Sequence, residues 1–162
     1  MIDREALLKS LAEQKITYEL VEHAPVYTIE EMDELGLSRH GVVAKNLFLR
    51  DSKGKRHFLV ILRGSRHVDM KALQPQLEST KLSFASGDRL KKFLNLEQGS
   101  VTPFGLLNDT GRDVEVFIDK GLEGAPAVGF HPNENTATIF LPMAEVIRII
   151  QEHGNTIKFI DL

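Results

Sequence analysis

Residues 41–50 read Gly41-Val-Val-Ala-Lys-Asn-Leu-Phe-Leu-Arg50, and after a polar segment the chain continues as His57-Phe-Leu-Val-Ile-Leu-Arg63. Both stretches are apolar and of strand length, and the Asp-Ser-Lys-Gly-Lys-Arg segment between them is typical of a hairpin turn. The two stretches therefore predict adjacent antiparallel strands at the centre of a β-sheet.

Lys45 is the unusual residue of this predicted pair. With the period of two that strands impose, Lys45 shares a face with Leu47 and Leu49, while Asn46 and Phe48 lie on the opposite face. An ammonium group inside a sheet must pair with a carboxylate or carbonyl, reach an edge, or face a cavity that holds a polar ligand. Two interpretations stay open: a structural lysine that extends to an edge of the sheet or forms a salt bridge, and a lysine of a binding site.

Composition limits the class of protein. The chain has 162 residues, of which 42% are hydrophobic and 27% charged, so we expect a single domain spanning residues 1–162. It contains no cysteine, which excludes disulfides, thiol nucleophiles and thiolate metal sites. No apolar segment has the length of a signal peptide or a membrane span, so we expect a cytoplasmic protein that does not contact membranes.

Charge is unevenly distributed along the chain. Between Lys45 and Lys71 there are eight basic and two acidic residues, a net charge of +6, so with −3 for the whole chain the remainder has −9. The overall charge argues against general nucleic-acid binding, but the basic segment could contact a polyanion locally. The alternative is a solvated hairpin turn, because residues 51–56 would be polar in any protein.

Turn residues and periodicity predict the remaining elements. We expect helices that begin near Asp3, Thr28, Asp69, Ser86 and Pro142, a loop at Gly99–Gly105, and further strands at 18–21, 82–84, 114–118, 127–130, 136–141 and 156–160. Because the helices are placed irregularly between the strands, the pattern predicts a mixed α/β (α+β) domain and not a doubly wound fold.

Several familiar chemistries are absent from the sequence. It contains no nucleophile elbow, phosphate-binding loop, dinucleotide fingerprint or zinc-protease motif, and its histidines do not have metal-ligand spacing, so we expect no metal and no cofactor. Lys45, Asn46, the Gly99–Gly105 loop and His131 remain. These groups could hold a carbonyl or a ribose hydroxyl and position water, and they include no evident protein nucleophile.

Four segments together resemble the YbaK/ProX superfamily of aminoacyl-tRNA editing domains, and within it the free-standing ProX (PrdX) type. They are VVAKNLFLRD at 42–51, HFLVILRG at 57–64, GSVTPFGLLND at 99–109 and FHPNENTAT at 130–138, in the family's order and with similar spacing. The resemblance covers nearly the whole chain. It implies a mixed, partly closed β-sheet surrounded by helices, and the hydrolysis of mischarged alanyl-tRNA(Pro).

The resemblance also implies roles for individual residues. Lys45 matches the essential site lysine, with Asn46 beside it, and Gly99 and Gly105 bound the loop that faces the aminoacyl ester. His131, together with Pro103 and Phe104, would form the amino-acid pocket. Arg50 and Lys81 fall near positions that contact the acceptor end of tRNA.

Three functions remain open at this stage. The first is an aminoacyl-tRNA hydrolase specific for alanine, and the second is the same enzyme acting on serine or cysteine. The third is a non-catalytic protein that binds a tRNA end or a synthetase. The implied partners are the tRNA acceptor end and a prolyl-tRNA synthetase, and we expect a monomer or a weak homodimer.

Overall fold

The computed structural model describes residues 2–64 and 66–161, except for the side chain of Ile29. The described residues form five α-helices: α1 (Arg4–Glu13), α2 (Ile29–Glu34), α3 (Met70–Gln76), α4 (Gly87–Leu94) and α5 (Met143–His153). They form eight strands: β1 (Glu19–Glu22), β2 (Val42–Arg50), β3 (His57–Arg63), β4 (Ser83–Phe84), β5 (Val114–Asp119), β6 (Val128–Phe130), β7 (Ala137–Leu141) and β8 (Ile157–Ile160).

The helices begin where the sequence predicts. The side chains of Asp3, Thr28, Asp69 and Ser86 each accept a hydrogen bond from a backbone N–H in the first turn of α1, α2, α3 and α4. Such caps satisfy donors that have no partner within the helix. Pro142 precedes α5 as expected, and this helix ends at Gly154, which adopts the left-handed conformation.

The eight strands form one mixed sheet in the order β1-β7-β6-β2-β3-β5-β8, with β4 paired to β2 outside this path. β2 and β3 are antiparallel neighbours in the interior of the sheet, with Lys45 opposite Leu62, so the predicted central hairpin is confirmed. The predicted hairpin of β6 and β7 is also confirmed, whereas β5 joins β3 in parallel.

One edge of β2 is only partly paired. Its other edge pairs with β3 over residues 44–50, but on this edge β6 pairs only with Val42 and Val43, and β4 only with Leu49 and Arg50. The described strands therefore leave residues 44–48 of β2 open between β6 and β4. This open stretch includes Lys45 and Asn46.

Both faces of the sheet are covered, as expected for an interior strand. Ala44 and Phe48 contribute to a large core that includes leucine and isoleucine side chains of α1, α4 and α5. Leu49 belongs to a second core with side chains of α3 on the opposite face. The alternation predicted for β2 is confirmed, because successive residues enter different cores.

The predicted loop at Gly99–Gly105 is wrong in its second half. A 3-10 helix runs over Pro103–Asn108, and Pro103, Phe104 and Gly105 are buried. Proline was interpreted as a loop residue, but it is equally suited to the first position of a helix, where its missing N–H is not needed.

Candidate active site

A cavity of about 630 Å³ lies over the open stretch of β2. Its walls come from residues 44–47 of β2, the end of β6, the residues that follow β3, the segment around the start of α2, and the residues that follow α4. The lining residues are Val26, Tyr27, Thr28, Glu30, Met32, Ala44, Lys45, Asn46, Leu47, Gly64, Arg66, His67, Gly99, Val101, Gly129, Phe130, His131 and Thr138.

Lys45 is half-buried and lines this cavity. Its ammonium nitrogen donates a hydrogen bond to the backbone carbonyl of Arg66, with an Nζ to O distance of 3.1 Å. Within residues 2–64 and 66–161, Lys45 forms no ion pair with a carboxylate. An ammonium has three donors, so this geometry favours the binding-site interpretation of Lys45 over the salt-bridge one.

The segment that holds this carbonyl is attached to a buried carboxylate. Asp119, at the end of β5, is 1% exposed, and its Oδ2 lies 3.3 Å from Nε of Arg66 and 3.6 Å from Nε of Arg63. Its Oδ1 accepts a hydrogen bond of 2.8 Å from the N–H of Gly121. Asp119 therefore fixes the chain after β3, and through it the carbonyl that Lys45 contacts.

Asn46 presents a buried acceptor at the cavity. Its Oδ1 is inaccessible to solvent and has no hydrogen-bond partner among the described residues. A buried amide oxygen without a donor costs free energy, so native proteins usually satisfy it with water or a ligand. Asn46 lines the cavity, and this oxygen is buried behind the cavity surface.

His131, which follows β6, forms another part of the cavity wall. Its Nδ1 lies 2.9 Å from the carbonyl oxygen of Ala137, so this nitrogen is the N–H donor of a neutral ring. Burial lowers the pKa of His131 below its ordinary value, which keeps the ring neutral at neutral pH. The ring of His23 lies behind it, with centroids 6.1 Å apart.

Gly99 closely approaches the segment before α2. It has a φ of +90°, and a Cβ atom at this position would lie 2.8 Å from Cε1 of Tyr27. A side chain here would be strained and would displace the tyrosine ring, so glycine is required by both conformation and space. Tyr27 itself is one of the most exposed aromatic residues in the described chain.

The structure brings four of the predicted site residues together: Lys45, Asn46, Gly99 and His131 all line the cavity. Pro103, Phe104 and Gly105 are buried elsewhere and do not line it. The Gly105 N–H donates to the Thr102 carbonyl, and the Phe104 ring packs edge-on against Phe130, with centroids 6.0 Å apart. Since Phe130 lines the cavity, Phe104 supports the wall from behind.

Arg50 and Lys81 lie away from the cavity. Arg50 ends β2, five residues beyond Lys45, which corresponds to about 17 Å along a strand. Its guanidinium donates to the carbonyls of Asp51 and Ser52. Lys81 is exposed just before β4, which pairs with the same end of β2. The two predicted tRNA contacts are thus near each other and separate from the cavity.

Comparison with known proteins identifies the family of this fold. Residues 23–149 match the family model described as the aminoacyl-tRNA editing domain. The chain belongs to the aminoacyl-tRNA editing domain family.

Relatives match this editing domain over most of their length. It is 48% identical over 159 residues to the prolyl-tRNA editing protein ProX of Acetoanaerobium sticklandii, covering 98% of this chain and 97% of the relative. It is 36% identical over 155 residues to the prolyl-tRNA synthetase associated domain-containing protein 1 of Danio rerio, covering 94% and 84%.

Solved structures share the fold at low sequence identity. One is a crystal structure of a protein proposed to be a trans-editing enzyme for prolyl-tRNA synthetase, with a TM-score of 0.71 and 18% identity over 96% of this chain and 95% of that one. The hypothetical protein APE2540 has a TM-score of 0.70 and 14% identity, over 93% and 95%. The mixed sheet with surrounding helices, which the resemblance implies, is confirmed.

Several side chains of the editing domain's cavity have no signal in the sequence. His67, to which the sequence assigns no role, lines the cavity, as do Arg66, Tyr27 and Glu30. These residues come from segments outside the central hairpin, so periodicity gives no sign that they face one space. In the described residues, no helix is long and apolar enough to cross a membrane, and no group of three metal-ligating side chains is found.

Proposed function

We propose that this editing domain is a hydrolase that removes alanine from mischarged tRNA(Pro). The observation that supports this function best is the convergence of Lys45, Asn46, Gly99 and His131 on one cavity, although they come from three strands or loops far apart in sequence. The 48% identical relative is named a prolyl-tRNA editing protein, which supports tRNA(Pro) as the tRNA of the substrate. The choice of alanine rests on the resemblance of the four sequence segments.

The need for such an enzyme follows from the limits of selection by size. A site built for proline cannot exclude the smaller alanine, because the lost contacts are worth only about 1–3 kcal/mol. A second site that accepts alanine and rejects proline removes the error after tRNA has been charged. That second site must be tightly walled around the side chain.

The cavity can hold more than an amino acid. Its volume of about 630 Å³ lies within the usual range for small-molecule sites, roughly 300–1,000 Å³. It therefore has room for the aminoacyl ester together with parts of the terminal adenosine. The Lys45 ammonium, which uses one donor on the Arg66 carbonyl, would hold a ribose hydroxyl or phosphate oxygen with another.

The reaction is the hydrolysis of an ester. Water adds to the ester carbonyl carbon, the carbon–oxygen bond to the ribose breaks, and the ribose oxygen takes a proton as the amino acid leaves. Backbone N–H groups of the Gly99 segment would stabilise the oxyanion of the intermediate. Ser100 N–H already donates to Glu97, which leaves those of Gly99 and Val101 as the candidates.

No side chain of the proposed site is required as a nucleophile. We propose that the free hydroxyl of the substrate's ribose orients and activates the attacking water, since proximity within a bound substrate supplies much of the acceleration. The unpartnered Oδ1 of Asn46 would accept a hydrogen bond from this water or from the substrate's ammonium group. Either contact would satisfy a buried acceptor.

His131 is proposed as the wall that excludes proline. Its ring is held by the bond to the Ala137 carbonyl, so it cannot easily turn away from a larger side chain. Overfilling a packed site costs about 1–3 kcal/mol, which is enough to reject proline. The chain would act in the cytoplasm as a monomer or weak homodimer, with the tRNA acceptor end and a prolyl-tRNA synthetase as its partners.

One experiment tests the function directly. Purified protein is incubated with alanyl-, seryl-, cysteinyl- and prolyl-tRNA(Pro), and the remaining ester is measured over time. Rapid loss of the alanyl ester alone supports the proposal, whereas preference for serine or cysteine replaces alanine as the substrate. Binding of tRNA without hydrolysis of any ester would contradict enzymatic function and favour a non-catalytic binding protein.

A further inference from the structure

Phe84 is a phenylalanine on the surface of the sheet. Its side chain is 65% exposed, and only Tyr27 is more exposed among the large apolar residues that the structure describes. It lies on the two-residue strand β4, which is held by its pairing with the end of β2 and by a hydrogen bond from Ala85 N–H to the Phe48 carbonyl. The ring is thus exposed on a fixed backbone.

The strand register relates this ring to the cavity. Phe84 is directly opposite Leu49, so it shares a face of the sheet with Leu49, Leu47 and Lys45. Four residues of strand separate Lys45 from Leu49, which corresponds to about 13 Å. The ring therefore lies on the lysine's face, about two strand residues, or roughly 7 Å, beyond Leu47, which lines the cavity.

The segments next to this position are rich in basic residues, and α4, which holds three of them, packs on the other face of β2 with Ala44 and Phe48. Residues 50–56 and 81–92, which flank β4 in space and in sequence, contain eight basic and two acidic residues, a net charge of +6. Arg89 of α4 donates to the Gly54 carbonyl and so joins the two segments. Arg56 is paired with Glu115 and Lys91 with Glu97. The basic residues outside these pairs are Arg50, Lys53, Lys55, Lys81, Arg89 and Lys92.

We propose that Phe84 is a stacking platform for an unpaired base of the tRNA 3′ end, one or two nucleotides before the terminal adenosine. This inference rests on the proposed function, because it assumes that the terminal adenosine occupies the cavity. Exposed aromatic rings among basic residues are used by proteins to bind single-stranded nucleic acid without reading its sequence. The 3′ end shared by all tRNAs needs no sequence discrimination at this point.

The charge decides between this occupant and a second copy of the chain. Two adjoining segments with a net charge of +6 would repel the same segments of a second copy in a symmetric contact, but they attract the phosphates that flank a stacked base. A two-residue strand also offers little edge for pairing with another sheet. Nucleic acid is therefore the partner that this surface fits.

The test measures binding without chemistry. The probe is a fluorescently labelled RNA hairpin that ends in unpaired CCA, titrated with wild-type protein and with Phe84→Ala, Phe84→Trp and Phe159→Ala. Phe159 is the matched control, because it is a 37% exposed phenylalanine on β8, at the opposite end of the sheet. We expect Phe84→Ala to weaken binding about 10-fold, Phe84→Trp to bind like wild type and Phe159→Ala to change nothing.

A series of shorter RNA probes distinguishes the loss of base stacking from a general loss of protein structure in the variant. The loss caused by Phe84→Ala should shrink when the RNA is reduced to its last nucleotide, because the stacked base is then absent. Equal binding by Phe84→Ala and wild type overturns the proposal, as does a loss that is the same for every probe length. A change in oligomeric state without a change in RNA binding would assign this surface to a second copy and also overturn it.

The stacking proposal and the proposed function can fail separately. If the wild-type protein hydrolyses alanyl-tRNA(Pro) but Phe84→Ala binds RNA normally, the platform is wrong and the function stands. If no aminoacyl-tRNA is hydrolysed but RNA binding depends on Phe84, the stacking proposal is supported and the protein is non-catalytic. If the wild-type protein does not bind RNA, the stacking proposal is wrong.

Discussion

The Lys45 ammonium donates a hydrogen bond of 3.1 Å to the backbone carbonyl of Arg66, and the described residues provide no carboxylate for it. A carbonyl orients an ammonium group without neutralising its charge. The charge therefore remains available to an anionic or polar group in the cavity. This contact joins the central hairpin to the segment after β3, and it makes the lysine's position depend on both.

Lys45→Ala should abolish deacylation while the protein remains folded. We expect a loss of at least about 100-fold, because one preorganised charged donor is removed from the site. Lys45→Arg should not restore the rate, since a planar guanidinium places its donors differently from a compact ammonium. The rate is measured with alanyl-tRNA(Pro), and Lys9→Ala, an exposed lysine of α1, is the control. An active Lys45→Ala would remove this residue from the site.

Asp119→Asn tests the support behind this contact. The asparagine keeps an oxygen for the Gly121 N–H but loses the ion pairs with Arg63 and Arg66. Breaking a fully buried pair costs about 3–5 kcal/mol, and since both arginines reach solvent we expect about 1–2 kcal/mol here. Urea unfolding measures this loss. Deacylation by the folded variant should also fall, and unchanged activity would show that Asp119 does not position the site.

His131→Ala tests the exclusion of proline. If the ring excludes the larger side chain, its removal should relieve a penalty of about 1–3 kcal/mol, which corresponds to about 5- to 150-fold in the ratio of prolyl to alanyl hydrolysis. Alanyl-tRNA turnover should fall less than in Lys45→Ala. The ratio is measured at a temperature where thermal melting shows the variant to be folded. Lower stability with an unchanged ratio would leave His131 only a structural role.

His131 should also contribute to the dependence of stability on pH. Burial lowers the pKa of the folded-state ring below its ordinary value of 6.5, so the unfolded chain binds a proton at a higher pH than the folded one. Stability is therefore lost as the pH falls below about 6.5, and it is unaffected by this group above that value. In His131→Asn the amide can still donate to Ala137 but cannot titrate, so we expect a smaller loss between about pH 7.5 and about pH 5.5. If urea unfolding shows the same change of unfolding free energy with pH in the variant and in wild type, this assignment is wrong.

Arg50 and Lys81 should contribute to the salt dependence of the affinity for tRNA. Each phosphate contact that is removed should reduce the slope of log affinity against log salt by about 0.7–0.9. Arg50→Gln and Lys81→Gln are therefore compared with wild type over a range of salt concentrations, at saturating and at limiting alanyl-tRNA(Pro). Hydrolysis at saturation should be nearly unchanged. If the affinity does not depend on salt, the basic segment is a solvated hairpin turn and does not contact tRNA.

Much of the fold could be predicted because its signals are local. The β2–β3 hairpin is contiguous in sequence, and the capping side chains of Asp3 and Ser86 mark helix starts within a few residues. The order of the strands could not be derived this way, because the parallel pairing of β3 with β5 joins residues more than fifty positions apart. Such pairing depends on tertiary packing and not on local pattern.

The site could be predicted only in part for the same reason. Lys45 was recognised because a charge within an apolar strand is conspicuous, and His131 and Gly99 through the resemblance. Phe104 was assigned to the pocket from the same loop, but its ring faces Phe130 inside the core, and sequence gives no direction for a side chain in an irregular segment. His67 had no distinguishing neighbours in sequence.

The open stretch of β2 has a consequence for how such proteins diverge. Strand pairing is specified by ladders of hydrogen bonds and cross-strand side-chain pairs, and on this edge residues 44–48 have no strand partner. Replacements of the side chains around that gap can change which amino acid fits while leaving every ladder intact. One scaffold can thus acquire new substrate preferences through few mutations, because side chains at the gap can be replaced without removing a backbone hydrogen bond between strands.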